Sequence, residues 1–412
     1  MLHESLLSCR IIMKNFYRRK VMKSFEYHCP TEIIFGQGAE DCVAEKIRKY
    51  GGSRVMILYG GGSAVKSGLI PKIERLLSTD DFELKILGGV KPNPRLSFAR
   101  QAIQEALDAK INFVLAVGGG SVIDTAKAIA LAAANPDANI WDHWTGKIKL
   151  EKSLPVGAVL TIAAAGSETS DSAVLTDEVS GLKRGSITPR PAFAVMNPEF
   201  ALTVPHYPLI CGIADIIMHT LERYFSRIEG NEFTDMVAES LIKNVMAQSK
   251  VLLKNPQDLH AMSEIMWCGS VSHTGFTGLG RDRDFSAHKL GHELSGRYDV
   301  IHGASLTTVW ASWARTVYTV KPERFANFAE KIFGITDGTI DERANAGIDA
   351  MENYFRELGT PTNFSELGIG VKSDDELKFL ADMVTSNGTK KVATFQPLDR
   401  ELVLKIYRKA NH

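Results

Sequence analysis

The stretch INFVLAVGGGSVIDTAKAIALAAAN (111–135) decides the fold of this 412-residue chain. Its first seven residues are almost wholly apolar, as in a strand covered on both faces. Gly118-Gly119-Gly120-Ser121 follows at once, and then an alanine-rich run with helical spacing. A strand that turns through glycines into a helix can hold a pyrophosphate. Residues without Cβ let the anion reach the backbone, and the first N–H groups of the helix donate to it. The same triple glycine could serve as a tight turn alone. It is neither Gly-x-Gly-x-x-Gly nor a P-loop, because no lysine follows directly. Asp124, read as part of the first helical turn, either offsets the helix dipole or accepts hydrogen bonds from a cofactor ribose.

The same alternation extends to both sides. SRVMILY (53–59) reads as a buried strand ending in a second glycine cluster, Gly60-Gly61-Gly62-Ser63. FELKIL (82–87) and LPVGAVLTI (154–162) are further strands, with helical spacing over 40–50, 68–77 and 96–109. FEYHCPTEIIF (25–35) is extended and demoted to an edge by Pro30. Strands alternating with helices over short links imply a doubly wound parallel sheet, a Rossmann-like arrangement. Two glycine loops in one sheet favour a dinucleotide, which has two ends to hold, with Gly61, Gly62 and Ser63 at the second loop.

Beyond about residue 205 the pattern changes. Helical periodicity dominates over 233–253, 259–272, 304–320, 323–333, 342–358 and 373–385. The expected organisation is a sheet domain over 22–205 and an all-helical domain over 206–412. Residues 1–21, MLHESLLSCRIIMKNFYRRKV, are read as a disordered extension or a start-site artefact, because Met22 opens a strand-like segment. Their apolar run is broken and no small-residue cleavage site follows, which argues against a secretory signal.

The helical part carries the chemistry. Asp215 and His219 lie four apart in CGIADIIMHTLERYF (211–225), so carboxylate and imidazole share one helix face. His288, His292 and His302 fall in SAHKLGHELSGRYDVIHGASL (286–306), three of the chain's 11 histidines. Gly291, Gly296 and Gly303 allow a helix, a break and a close return. Asp215, His219, His288 and His302 form a one-oxygen, three-nitrogen set suited to a single divalent ion. Such a set suits a borderline ion, Fe(II) or Zn(II) alike, and the lack of thiolate disfavours a closed structural zinc site. Taken alone, an Asp-x-x-x-His pair is more often an ion pair or cap than a ligand pair. His206, His260, His273 and Trp267 are assigned by default to packing or surface roles, with His273 set apart because the glycines beside it in SVSHTGFTG suit a cleft wall.

Composition narrows the class. With 48 basic and 48 acidic residues the net charge is zero, so neither nucleic acid nor an anionic membrane is indicated as a partner. Apolar runs are too short to span a bilayer. Five scattered cysteines without a Cys-x-x-Cys pair read as free thiols of a reducing cytoplasm.

From Met22 onward the chain resembles the iron-containing (group III) alcohol dehydrogenases. The resemblance rests on YGGGSAVKSG (59–68), GVKPNP (89–94), VGGGSVIDTAKAIA (117–130), AGSETSDSAVLTDEVSGLKRG (165–185), GIADIIMHTLE (212–222) and the His288/His292/His302 segment. It is similar in particular to the NADPH-dependent butanol dehydrogenase and broad-range aldehyde reductase branch. The resemblance implies metal ligation by Asp215, His219, His288 and His302, and His292 near the nicotinamide and substrate in proton transfer. It also implies Gly118 to Ser121, Asp124, Thr161 and Lys183 lining the cofactor, and a small aldehyde or alcohol as substrate. Ala165 and Ser170 depart from a Thr and an Asn common in that branch. No carboxylate follows the first two strands to repel a 2′-phosphate, and Ser63 and Lys66 could meet one, so NADP(H) is expected over NAD(H). Dehydroquinate synthase and glycerol dehydrogenase share the two-domain plan with other ligand sets. The N-terminal edge strand suggests a homodimer by strand addition.

Overall fold

The computed structural model describes residues 22–79, 81–164 and 166–412. The expectations for 1–21 and for Ala165 lie outside that range. The elements of the first half are β1 (Glu32–Phe35), α1 (Val43–Lys49), β2 (Arg54–Tyr59), α2 (Ser63–Lys66), α3 (Leu69–Leu77), β3 (Glu83–Leu87) and α4 (Leu96–Asp108). They continue with β4 (Phe113–Gly118), α5 (Gly120–Ala133), α6 (Ile140–Trp144), β5 (Val156–Leu160), β6 (Ser172–Asp177), β7 (Leu182–Ile187) and β8 (Phe193–Met196).

Six strands form one sheet in the order β1-β8-β5-β4-β2-β3, and every neighbouring pair is parallel. The two central strands read as the sequence implies: every residue of β4 and β5 is buried. The chain runs outward from β2 to β3 and returns to the other side of β2 at β4. That reversal is a topological switch point, where the crevice beyond the carboxyl ends of an open sheet receives its ligand. Both glycine loops leave from this place, because β2 and β4 are neighbours in register, Tyr59 opposite Val117.

Three features differ from the sequence reading. Of 25–35 only Glu32–Phe35 is strand, an edge strand bonded to β8 alone. The antiparallel hairpin β6–β7 was not anticipated, since SAVLTD and LKRGSI show no clean apolar run. The chain also does not break at Gly296, as described below with the site.

The second half is helical: α7 (His206–Tyr224), α8 (Glu232–Lys254), α9 (Leu259–His273), α10 (Ser286–Tyr298), α11 (His302–Val317), α12 (Pro322–Phe333), α13 (Ile340–Leu358), α14 (Asp374–Thr385) and α15 (Arg400–Ala410). One apolar cluster runs from the sheet face (Met56, Val114, Ala158) through α5 and α7 to Trp310 and Phe355. The other sheet face packs against α1 and α3 through Val43, Ile47, Ile70 and Ile73. The halves therefore share a continuous core on one side of the sheet.

Their contact is made at backbone distance. A Cβ on Gly212 would stand 2.4 Å from Ala163 O, and one on Gly269 would stand 2.5 Å from Ala164 O. The loop that leaves β5 thus lies directly on α7 and α9, and no side chain fits between. No helix among the described residues is long and apolar enough to cross a membrane.

Candidate metal and cofactor site

Helix α7 carries Asp215, His219 and Glu222, which fall on one face by the 3.6-residue period. Helix α11 starts against it: a Cβ on Gly303 would lie 2.0 Å from Cys211 O. This approach brings His302, the first residue of α11, beside Asp215. Helix α10 supplies His288 and His292. Its lead-in residue Phe285 has a left-handed backbone (φ 54°), and Asp299 (φ 53°) turns the chain after Tyr298. Gly296 lies inside α10, where its missing side chain makes room for Gly181 O at 2.5 Å from a would-be Cβ.

Ligand atoms of Asp215, His288 and His302 all lie within 4.8 Å of one another. His219 Nε2 stands 3.2 Å from His288 Nε2 and 3.5 Å from Asp215 Oδ1. Asp215, His219 and His288 are buried and His302 partly so. Among the described residues, Asp215 Oδ1 and His302 Nδ1 have no hydrogen-bond partner. Such orphans are costly in a protein interior. The cost, the one-oxygen, three-nitrogen donor set and the mutual proximity fit a divalent ion.

Glu222 completes the arrangement. It is buried, accepts from the His288 backbone N–H at 3.1 Å and bonds His288 Nδ1 directly. A carboxylate behind a ligating imidazole fixes the ring and its tautomer. Burial disfavours the charged form of His288, but Glu222 and then Asp215 outweigh it and push its pKa up to about 9. His219 and His302 are pushed well below the ordinary imidazole value, chiefly by burial. Glu222 was missed from sequence, although it sits three residues after His219 on the same face. His273, set apart in the sequence as suited to a cleft wall, lies against this cluster: its ring is 4.0 Å from that of His219, with Nε2 3.2 Å from Ser172 Oγ.

His292 lies one turn beyond His288. Its ring is 5.2 Å from that of His302, its Nε2 is buried without a partner, and burial with nearby Lys183 keeps it neutral. Lys183, on β7, is buried and donates to Asn93 Oδ1 at 2.8 Å. Burial brings its pKa down to about 8, against the pull of Asp215 and Asp124.

On the sheet side, Thr161 N donates to Gly118 O at 3.2 Å, and Gly120 faces Ser167. A Cβ on Gly119 would lie 2.3 Å from Ile162 Cγ2. Ser121 lies in the first turn of α5, but Asp124 does not belong to that turn: α5 starts at Gly120 and has no acid in its first turn. Asp124 instead accepts from Ser167 Oγ at 2.5 Å and from Val174 N at 2.9 Å, and burial raises its pKa. At the other loop Gly62 has φ 105°, which favours glycine, and open space surrounds Gly61 and Gly62. Ser63 and Lys66 are exposed there. Lys127, also missed from sequence, is buried in α5. Its Nζ donates to Ser167 O, Ser170 O and Ser172 O at 2.7, 3.1 and 2.8 Å, fastening the loop between β5 and β6.

Residues 30–198 match the pattern described as iron-containing alcohol dehydrogenase, and residues 209–411 match that of the Fe-containing alcohol dehydrogenase family, C-terminal. The chain is an iron-containing alcohol dehydrogenase family member. It is 34% identical to NADH-dependent butanol dehydrogenase A of Clostridium acetobutylicum, over 94% of this chain and 100% of that one. To the NADPH-dependent aldehyde reductase YqhD of Escherichia coli it is 35% identical, over 84% and 90% of the two chains. The crystal structure of NADH-dependent butanol dehydrogenase A from Thermotoga maritima superposes with a TM-score of 0.90, at 33% identity, covering 95% of this chain and 99% of that one. Membership of this iron-containing dehydrogenase family makes the protein an oxidoreductase that works with a divalent metal and a nicotinamide cofactor.

Proposed function

We propose that this family member reduces small aldehydes to alcohols, and runs the reverse oxidation, with NADP(H) preferred over NAD(H). The observation that carries the reading is the convergence of Asp215, His219, His288 and His302, with orphaned Asp215 Oδ1 and His302 Nδ1, in a half that also abuts the glycine-loop end of the sheet. These four side chains would hold the ion, Fe(II) in the first instance and Zn(II) as the alternative. When bound, the ion supplies Lewis-acid polarisation of a carbonyl oxygen, and the reduced nicotinamide supplies hydride.

The chain's own residues do the rest. Glu222 holds the His288 ring so that Nε2 faces Asp215 and His219. Gly118 to Ser121 let a pyrophosphate approach the start of α5, with Thr161 and Lys183 flanking the nicotinamide half and Gly61, Gly62 and Ser63 the adenosine half. Asp124 orders Ser167 at the edge of that space. His292 Nε2, buried and without a partner among the described residues, is placed to relay a proton to the product oxygen, the ring taking one up from solvent at its other nitrogen as it gives one from Nε2. The NADP(H) preference rests on charge: neither 60–68 nor 88–94 contains an acid, whereas Lys66 is exposed beside Ser63. We further propose a division at about residue 205 into a cofactor domain and a metal domain, a homodimer formed by addition at the β1 edge, and a cytoplasmic setting.

The test is oxidation of NADPH and NADH with butyraldehyde, on protein stripped of metal and reloaded with Fe(II) or Zn(II). Metal-dependent turnover faster with NADPH is the expected result. Absence of turnover with either cofactor and either metal would overturn the reading in favour of polyol or lyase chemistry on the same fold.

A further inference from the structure

One amide joins the two halves beside the site. Asn93, between β3 and α4, is 5% exposed and uses both ends of its side chain. Its Nδ2 donates to Asp299 Oδ1 at 2.9 Å and to Val300 O at 3.3 Å, on the turn between α10 and α11. Its Oδ1 accepts from Lys183 Nζ at 2.8 Å. On the sheet side main chain fixes the frame: Thr176 N donates to Pro94 O at 2.7 Å, and Thr176 stands opposite Lys183 in the β6–β7 hairpin. On the metal side Asp299 precedes His302 by one short turn, and its Oδ1 also accepts from Arg95 Nη2 at 2.6 Å.

The sense of this amide matters chemically. An amide has an acceptor at one end and two donors at the other. Turned round, it would set its NH2 against the Lys183 ammonium, donor to donor. Two acceptors on the α10–α11 turn hold it the right way, and one of them is a carboxylate, which can only accept. Asp299 and Asn93 both adopt a left-handed backbone, each at φ 53°. Two unfavourable conformations are thus held at the two ends of one contact. A bond that merely closed a turn would need no third partner. Here the third partner is Lys183, buried, with two of its three N–H groups lacking an acceptor among the described residues. Its charge feels Asp215 from the metal side and Asp124 from the sheet side.

We propose that Asp299 is a positioning residue: from the metal-bearing half it fixes the Asn93 amide, and that amide holds the Lys183 ammonium with its remaining N–H groups turned to the nicotinamide half of the cofactor. This rests on the reading of Lys183 as a flank of that half. Asp299 itself acts only through Asn93 and Lys183. Its side chain is 62% accessible, so solvent screens the contact and its loss weakens cofactor binding by a modest factor without abolishing it.

The experiment measures binding to the metal-loaded enzyme by the fluorescence of NADPH, with 2′,5′-ADP as a probe of the adenosine half alone; NADH and ADP replace them if NADH binds tighter. Asp299→Gly removes the carboxylate and accepts the left-handed backbone, and Asp299→Asn keeps an oxygen acceptor on a residue that tolerates it. Asp299→Gly should raise Kd for NADPH about fivefold and Asp299→Asn about twofold at most, with 2′,5′-ADP affinity and bound metal at wild-type level. Lys183→Met should raise it at least as far, and Asp299→Gly added to Lys183→Met should change nothing more, because the one acts through the other. Additive losses, or 2′,5′-ADP weakened in parallel, would mean a merely structural turn and overturn the proposal. So would an Asp299→Gly variant that binds NADPH like wild type while Lys183→Met does not. NADPH bound at wild-type strength by Lys183→Met overturns the assignment of Lys183 to the cofactor, and the positioning role with it.

Discussion

The bond from Glu222 to His288 makes metal uptake a proton exchange, and its size can be worked out. In the metal-free protein His288 is an imidazolium: Nδ1–H meets Glu222, and Nε2–H points at His219 Nε2, 3.2 Å away, with Asp215 Oδ1 at 3.7 Å. An incoming ion needs that Nε2 unprotonated. With the His288 pKa at about 9, displacing the proton at pH 7 costs roughly 3 kcal/mol, about a hundredfold in affinity. Metal affinity of the wild type should therefore climb about tenfold per pH unit from neutral pH and level off near 9. Glu222→Gln keeps an acceptor for Nδ1–H but removes the charge, so His288 moves back toward its ordinary value. The variant loses about 10–100-fold in intrinsic affinity, the usual effect of removing a carboxylate behind a ligand, and loses most of the pH slope as well. At pH 9 the wild type should thus bind about 10–100-fold tighter, and near pH 7 the two should converge. Competition for Zn(II) against a chromophoric chelator at pH 7, 8 and 9 reads both lines. Parallel lines, with a constant gap at all three pH values, would refute the reasoning.

The same shift acts on the metal-free fold: because the folded pKa is raised from 6.5, its stabilisation of about 3 kcal/mol is complete below 6.5 and lost as pH rises through 9. Urea midpoints of the metal-free protein at pH 6.5 and 9 check this, and a midpoint that does not fall would count against it. Gly303→Ala puts a methyl 2.0 Å from Cys211 O, so α11 must move off α7. The expected loss is about 1–3 kcal/mol, with weaker metal retention, read by thermal denaturation and metal analysis. Gly119→Ala pushes on Ile162 at 2.3 Å and should raise KM for the nicotinamide cofactor about tenfold while bound metal stays at wild-type level. Lys127→Met takes the donor from Ser170 O and one of two donors each from Ser167 O and Ser172 O, and should lower stability by about 1–3 kcal/mol, seen as a lower urea midpoint; an unchanged midpoint would mean the loop holds without it.

What could be read in advance followed from periodicity. The β4–glycine–α5 unit announces itself because a fully buried strand has no polar residues to blur it. The pair Asp215 and His219 announces itself because i and i+4 must share a helix face. Glu222 obeys the same rule and was within reach. His273 was legible only as far as the glycines beside it, which suit a cleft wall, since its meeting with His219 depends on how α9 packs, which no local spacing encodes. The β6–β7 hairpin was hidden because half of it carries Lys183 and Arg184, polar side chains turned toward the site and toward Glu293. Asp124 misled for a different reason: α5 begins one residue earlier than a turn through all three glycines would suggest, which moves the acid past the dipole-sensitive turn.

The seam at Gly212 and Gly269 has a consequence for motion. Where main chain rests on main chain, there are no side-chain rotamers to yield, so sliding along that seam is blocked. Any opening that admits cofactor must swing about the seam as a fixed fulcrum. The parts farthest from it, the Gly60–Ser63 loop and the β3 margin, then travel the greatest arc, while the bed beneath the metal scarcely stirs. The enzyme would in that way exchange nicotinamide without loosening its grip on the ion.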